Sequence, residues 1–474
     1  MASPEPVRTN ASWWLDEALA SETDAVPRPP LAGDVRADVC IVGGGYTGLW
    51  TALRLKELEP SLDVLLIEAK YCGYGASGRN GGVLLDWATK FAILVQHCGT
   101  QEAVRLHRLA RANVEEIEAF CAGNGIDCEL RRDGWLWTAN NAAQDHVWRP
   151  TLALLDKAGE HPFIEMGATE AQARAGSPLV RGAVFEPGVG TLQPAKLARG
   201  LRRVALAMGV RIHEGTRMTR LERGKPPRIH TSDGTITAKR VVLGLNAWAA
   251  EIPRFRRTVL PLASDQLMTA RIPELLHKIG LRDGMFFSDS RLLVFGGRTT
   301  KDGRLNFSKG GGDFVFRGQV GSIWDEPARR EREVTDLLYR VYPALKDVKL
   351  EGSWRGPVTR TPTGLPFFGA FEDCPDILYG HGYCGNGVGP SRIGGRILAS
   401  LALERKDEWS SIPLAQGQPH KRFPPEPFRY VGAYMVRGAV VRKEAAEDAG
   451  RKPNPIDTLL AGFAPSSLVP VNTE

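Results

Sequence analysis

Six consecutive residues, Gly43-Gly44-Gly45-Tyr46-Thr47-Gly48, and an acid 20 positions after the last of them, Glu68, have the types and spacing to hold a dinucleotide. The chemistry is anion capture by backbone rather than by cations. Gly43 permits a tight turn, Gly45 lets the chain approach a pyrophosphate, and Gly48 lets a helix lie close on its strand. Free N–H groups at the start of that helix then face the phosphate charge. Glu68 accepts the hydroxyls of the adenosine ribose and disfavours a 2′-phosphate.

That device needs one strand to deliver the glycines and another to deliver the acid. The apolar run Val39-Cys40-Ile41-Val42 reads as the first strand, and Leu49-Trp50-Thr51-Ala52-Leu53-Arg54-Leu55 as the helix. Leu62-Asp63-Val64-Leu65-Leu66-Ile67 reads as the next parallel strand, ending at Glu68. This βαβ unit covers 36–70. Next comes a loop of small residues, Gly75-Ala76-Ser77-Gly78-Arg79-Asn80-Gly81-Gly82, whose N–H groups can line up as an anion-receptive concavity. Within it Arg79 could pair with a phosphate or lie near the ring, and Asn80 offers a donor and an acceptor. Apolar spacing predicts helix over 90–124, around 142–158 and from Gln193 to about Met208. Strands are expected through Trp135-Leu136-Trp137, at Val210–His213, and on either side of the turn at Asp233-Gly234. The buried strand Val241-Val242-Leu243 carries Asn246 and Trp248 just past its end. Residues 255–350 are strand-rich, and 378–403 pass from a glycine-rich turn to a helix starting near Ser391. The first 35 residues read as a surface arm anchored by Ala11-Ser12-Trp13-Trp14-Leu15. The tail 404–474 reads as a surface segment with one helix at 438–449.

The chain has 474 residues, 43% hydrophobic and 24% charged, which describes a globular protein of two or more domains. Its net charge of +7 arises from 61 basic against 54 acidic residues. The excess lies in short pairs such as Arg202-Arg203, Arg256-Arg257 and Arg329-Arg330 beside apolar residues, with no lysine-rich run, so nucleic-acid binding is not expected. The seven cysteines form no CxxC pair, so neither a metal site nor a disulfide framework is expected. No stretch is apolar for the length of a bilayer span, and Met1 to Arg8 lacks a secretory signal's apolar core, so a reducing cytoplasm is the expected compartment.

Four blocks together resemble the D-amino acid oxidase/glycine oxidase superfamily of FAD-dependent oxidoreductases, across nearly all of 36–403. They are Val42 to Gly48 with Glu68; the loop 75–82; Thr359-Arg360-Thr361-Pro362-Thr363-Gly364-Leu365-Pro366-Phe367-Phe368-Gly369; and Tyr379-Gly380-His381-Gly382-Tyr383-Cys384-Gly385-Asn386-Gly387-Val388-Gly389. The flavour is nearest the gamma-glutamylputrescine oxidase and aminophosphonate oxidoreductase branch. The resemblance implies an α/β fold: a discontinuous Rossmann-like FAD-binding layer of the GR2 type with a second, mainly antiparallel α+β substrate domain. The FAD layer would comprise 36–100, 186–255 and 352–403, and the substrate domain 101–185 and 256–351. FAD would be held by Gly43, Gly45, Tyr46, Thr47, Gly48, Glu68, Ala76, Ser77, Arg79, Asn80, Gly81 and Gly82. Met218 would lie near the adenine, and Gly382, Gly385, Asn386, Gly387 and Val388 would close the site. The loop 75–82 has no His and the stretch 353–358 no Cys, so the flavin is expected to be non-covalent. No second glycine fingerprint exists for a nicotinamide domain.

Family chemistry implies hydride transfer from the carbon bearing an amine to flavin N5, hydrolysis of the resulting imine, and reoxidation by oxygen to hydrogen peroxide. The alternatives are a dehydrogenase passing electrons to a quinone or carrier, or a tailoring enzyme acting through an iminium. His381 stands immediately before the closing turn and is the best-placed histidine. A substrate with an acidic group needs a cation, for which Arg355, Arg291 and Arg360 are candidates. Strand alternation puts Arg355 and Arg360 on opposite faces. Trp248 is placed to wall the cavity. The expected partner is a small amine, in a monomer or homodimer.

Overall fold

A computed structural model describes residues 11–22, 26–321, 324–325 and 330–465. The segments 1–10 and 466–474, and Arg329 of the pair Arg329-Arg330, lie outside the described residues.

Five parallel strands form the spine of the first sheet, in the order Cys374–His381, Thr235–Leu243, Val35–Val42, Val64–Ile67 and Arg211–His213. The last four residues of Val35–Val42 are buried, as are all four of Val64–Ile67. Strands buried on both faces read as continuous apolar runs, which is why Val39-Cys40-Ile41-Val42 was legible. Register brings the strand ends to one level: Val42 pairs with both Ile67 and Leu243, Ile67 with His213, and Leu243 with Tyr379. Helices Tyr46–Leu58, Pro194–Ala207 and Pro390–Ala402 cover one face. Phe367–Phe371 adds an antiparallel edge, and Arg228–His230 forms the expected hairpin with Thr235–Leu243.

The second sheet has eight strands and is antiparallel apart from one parallel pairing, Trp135–Ala139 beside Phe286–Ser288. Its edge strand, Leu350–Arg360, pairs along nearly its whole length with Leu260–Thr269. Most of that strand falls in 352–403, the range expected to belong to the nucleotide layer. It lies in the second sheet, where Leu260–Thr269 satisfies its ladder groups.

Other differences are local. The helix expected over 90–124 is two, Phe91–Cys98 and Thr100–Gly123, broken at Gly99 with φ 79°. The helix near 142–158 is confined to Arg149–Lys157 apart from one short 3-10 turn at Ala142–Gln144. Trp13–Ser21 forms a helix that buries Trp14 and Leu15, so the expected anchor docks. The C-terminal helix runs Phe428–Asp448, ten residues earlier than expected, and is followed by Pro455–Ala461. It is part of the fold rather than a loose cover: Glu444 accepts from the Leu293 N–H, Tyr434 from the Phe314 N–H, and Arg437 donates to the Gly311 carbonyl. No helix among the described residues is long and apolar enough to cross a membrane.

Candidate functional site

A cavity of about 510 Å³ lies between the carboxyl ends of the parallel strands and the second sheet. Ligands of open α/β sheets bind at such an edge. The glycine turn forms its floor, and each glycine there has a distinct reason. Gly43 has φ 113°, and a Cβ on it would stand 2.8 Å from the Gly244 carbonyl oxygen. A Cβ on Gly48 would stand 2.0 Å from the Gly43 oxygen and 3.1 Å from Ile41, so only glycine lets helix and strand close. Gly45 lines the cavity, where a side chain would meet Ser77 Oγ at 3.0 Å.

The helix opening at Tyr46 is tied down on both sides. Its Tyr46 N–H donates to Ser77 Oγ at 2.9 Å, and Thr47 Oγ1 pairs with the Tyr383 hydroxyl at 2.8 Å. Glu68 reaches the cavity wall, with Oε2 accepting from the Gly44 N–H at 2.8 Å and Oε1 from the Lys70 N–H at 3.0 Å. Burial raises its carboxyl above the ordinary range, and those two N–H donors oppose the rise. Ala76, Gly81 and Met218 also line the cavity, as do Gly385, Asn386, Gly387 and Val388.

Some expected ligands also serve the frame. Arg79 lines the cavity, yet its guanidinium is ion-paired with Asp325 at 2.8 Å and donates to the Tyr74 carbonyl, so it is not a spare cation for phosphate. Asn80 also lines the cavity, and its amide donates to the Ala76 and Ser77 carbonyls and accepts from the Gly82 N–H. Gly48, Gly82 and Gly382 do not reach the cavity wall; they act by clearance, a Cβ on Gly382 falling 2.3 Å from Thr361.

The candidates for chemistry need larger corrections. His381 is fully buried behind the wall, its ring 4.8 Å from Phe255 and stacked on Tyr379. Burial pushes its pKa down to about 3, so it is a neutral packing ring. Arg355 points away from the cavity into Asp265 and Asp313, at 2.9 and 2.5 Å. Arg291 is likewise taken, by Asp289 and by Asp448 of the C-terminal helix. Only Arg360 of the three arginines lines the cavity, as alternation from Arg355 requires. It lies against the closing turn, Nη1 being 3.2 Å from where a Gly385 Cβ would stand. Trp248 does wall the cavity, beside Gly75.

Sequence reasoning missed Gln266, Phe295 and Ser391, which also line the space. Gln266 sits on Leu260–Thr269 and is held by Asn306, whose amide donates to its Oε1 at 3.1 Å. Nothing local marks these residues, since a strand's inward face becomes visible only when its sheet is packed.

The site fits FAD on its own structure. The glycine turn leaves room that any Cβ would fill, a carboxylate stands at the ribose position, and one continuous cavity runs from them to the second sheet. A Rossmann-like layer whose strand ends open towards an antiparallel sheet defines a class of flavin-binding oxidoreductase. The chain belongs to the DAO family of FAD dependent oxidoreductases, whose family model matches residues 38–401. It is similar to gamma-glutamylputrescine oxidoreductase of Escherichia coli K12, 29% identical over 400 residues that cover 83% of this chain and 91% of that protein. It is also similar to the oxidoreductase OrdL of Rhizobium meliloti, 31% identical over 418 residues covering 86% and 92%. Glycine oxidase of Geobacillus kaustophilus shares the fold, with a TM-score of 0.66 at 22% identity over 81% of this chain and 100% of that one.

Proposed function

We propose that this enzyme oxidises a small primary or secondary amine to an imine, which water then hydrolyses. The carrying observation is the continuity of the cavity: one space joins the glycine turn and Glu68 to the strands of the second sheet, so an amine can reach a bound flavin directly. The names of two relatives, gamma-glutamylputrescine oxidoreductase and glycine oxidase, support an amine as the group oxidised. When bound, FAD would supply the acceptor for the hydride leaving the carbon beside the amine, and oxygen would take the electrons onward.

The protein's own task is then positioning and exclusion of water. Gly43, Gly45 and the N–H groups opening Tyr46–Leu58 would hold the pyrophosphate, Glu68 the ribose, and the 385–388 turn the far end of the cofactor. Trp248 and Phe295 would confine the amine. Tight confinement raises the effective concentration of the reacting carbon, and no strong protein base is required. No His or Cys is among the described residues lining the cavity, which supports non-covalent attachment. The proposed FAD unit keeps 36–100, 186–255 and the part of 352–403 beyond the strand ending at Arg360, with the remainder of 101–360 as substrate unit. The seven unpaired cysteines support residence in a reducing cytoplasm.

Anaerobic addition of amines to the yellow FAD-loaded protein tests this reading. Bleaching near ~450 nm, reversed on admitting air, is the expected result for a flavin oxidase. Bleaching that only a quinone or dye reverses would make it a dehydrogenase, and a flavin that no amine bleaches would refute amine oxidation.

A further inference from the structure

The walls of the cavity are not alike in charge. Glu68, Lys70, Arg217 and Glu251 lie where the nucleotide sheet's ends and their loops meet the space, and Arg79 is neutralised by Asp325. The second sheet contributes a different surface: Leu262, Ser264, Gln266, Phe286, Phe295 and Ser308, with half-buried Val294 beside them. Among the described residues of that sheet at the cavity, Arg360 alone is ionisable, and it stands at its strand's end against the Gly385 turn. The two other arginines of this region that could have met an acid are committed elsewhere. Arg355 is held by two carboxylates and Arg291 by two more, all four on the far side of the wall.

Resting on the amine-oxidation reading, we infer that the substrate is an amine whose non-reacting end is uncharged and largely apolar, not one bearing a carboxylate or phosphonate. A carboxylate lodged against Phe286, Phe295 and Val294 loses its hydration and gets no cation from those three side chains, since Arg360 stands at the Gly385 turn. An alkyl or aryl end instead gains by leaving water, about fourfold in affinity for each buried methylene. Gln266 adds one polar contact. Its Oε1 already accepts from Asn306, and its amide nitrogen can donate to the substrate. An amide or ether oxygen can take that donor.

Length-matched probes test the inference: hexylamine, 6-aminohexanamide and 6-aminohexanoate, mixed anaerobically with the FAD-loaded protein. The first two should reduce the flavin with at least a tenfold higher second-order rate constant than the acid; equal or faster reduction by the acid overturns the inference. Binding supplies a readout apart from turnover. In calorimetry on the same FAD-loaded protein, heptanamide should bind at least tenfold more tightly than heptanoate, and the reverse order overturns the inference. If no amine bleaches the flavin, amine oxidation fails while the calorimetric comparison still decides the charge of the ligand. Val294→Arg should shift the hexylamine-to-aminohexanoate ratio at least tenfold towards the acid. Its FAD content and melting curve check that the variant is folded, and an unmoved ratio in folded protein refutes Val294's place in the substrate wall.

Discussion

Asp265 and Arg355 stand opposite each other in register on adjacent antiparallel strands, their side chains joined at 2.9 Å and both closed to solvent. Asp313 takes a second edge of the guanidinium, and Arg330 approaches Asp265 at 3.4 Å. Removing one partner of a buried pair leaves the other charged and uncompensated, which costs about 3–5 kcal/mol. Arg355→Met should therefore lower the melting temperature strongly, and adding Asp265→Asn should restore part of the loss. Thermal melts of the single and double variants check this. A single variant of unchanged stability but raised KM would return Arg355 to substrate binding.

Gly48 and Gly432 are both helical glycines with opposite expected responses. A Cβ at Gly48 falls 2.0 Å from the Gly43 oxygen, so Gly48→Ala must push the glycine turn out of shape. The purified variant should lack the flavin band near ~450 nm even with FAD added, because the turn that carries the pyrophosphate is lost. At Gly432, within Phe428–Asp448, a Cβ meets nothing within 4 Å. Gly432→Ala should leave FAD content unchanged and stabilise the protein by about 0.5–1 kcal/mol through a less costly helix.

Two buried carboxyls, Glu444 on the C-terminal helix and Asp289 on the sheet side, make that helix's attachment pH-dependent. Burial raises Asp289 to about 6 and Glu444 to about 7, with Lys309 and Arg291 nearby favouring the charged forms. Folded protein thus holds protons there that the unfolded chain has already released, so the groups' stabilising effect is complete below the unfolded values and falls away as pH rises to about 7. The shift at Glu444 corresponds to about 3 kcal/mol at most. Wild-type protein should lose more melting temperature between pH 5 and 8 than Glu444→Gln does. Parallel curves would show that Glu444 titrates normally.

The nucleotide half of the site was legible because its parts are local: the glycines, the strand before them and Glu68 lie within one short βαβ unit. Alternation also separated Arg355 from Arg360 correctly. It could not say which face meets the cavity, since that depends on Asp265 of Leu260–Thr269 and Asp313 beyond Leu305–Lys309, both far away in sequence. Arg291 was misread for the same reason: its partner Asp448 comes from a helix at the other end of the chain. That helix was itself cut short in the reading, because Gly432 and Gly438 weaken its local signal. Tertiary contacts through Tyr434 and Arg437 compensate.

His381 offers the sharpest separation of packing from chemistry. Its ring touches Phe255, Phe367 and Tyr379, and among the described residues neither ring nitrogen makes a hydrogen bond of standard geometry. Burial depresses its pKa from 6.5 to about 3. Below pH 6.5 the unfolded chain gains a proton that the folded protein refuses, so stability is lost as pH falls towards 3; at pH 5 the loss is about 2 kcal/mol. His381→Phe keeps the aromatic volume and abolishes that titration. The variant should match the wild type's melting temperature or exceed it at pH 7, and should hold it better at pH 5. Its rate of flavin bleaching by the best amine should stay within about twofold, whereas loss of a general acid or base would cost about 100-fold or more. A folded, FAD-loaded variant that bleaches 100-fold more slowly would place the imidazole in the reaction after all.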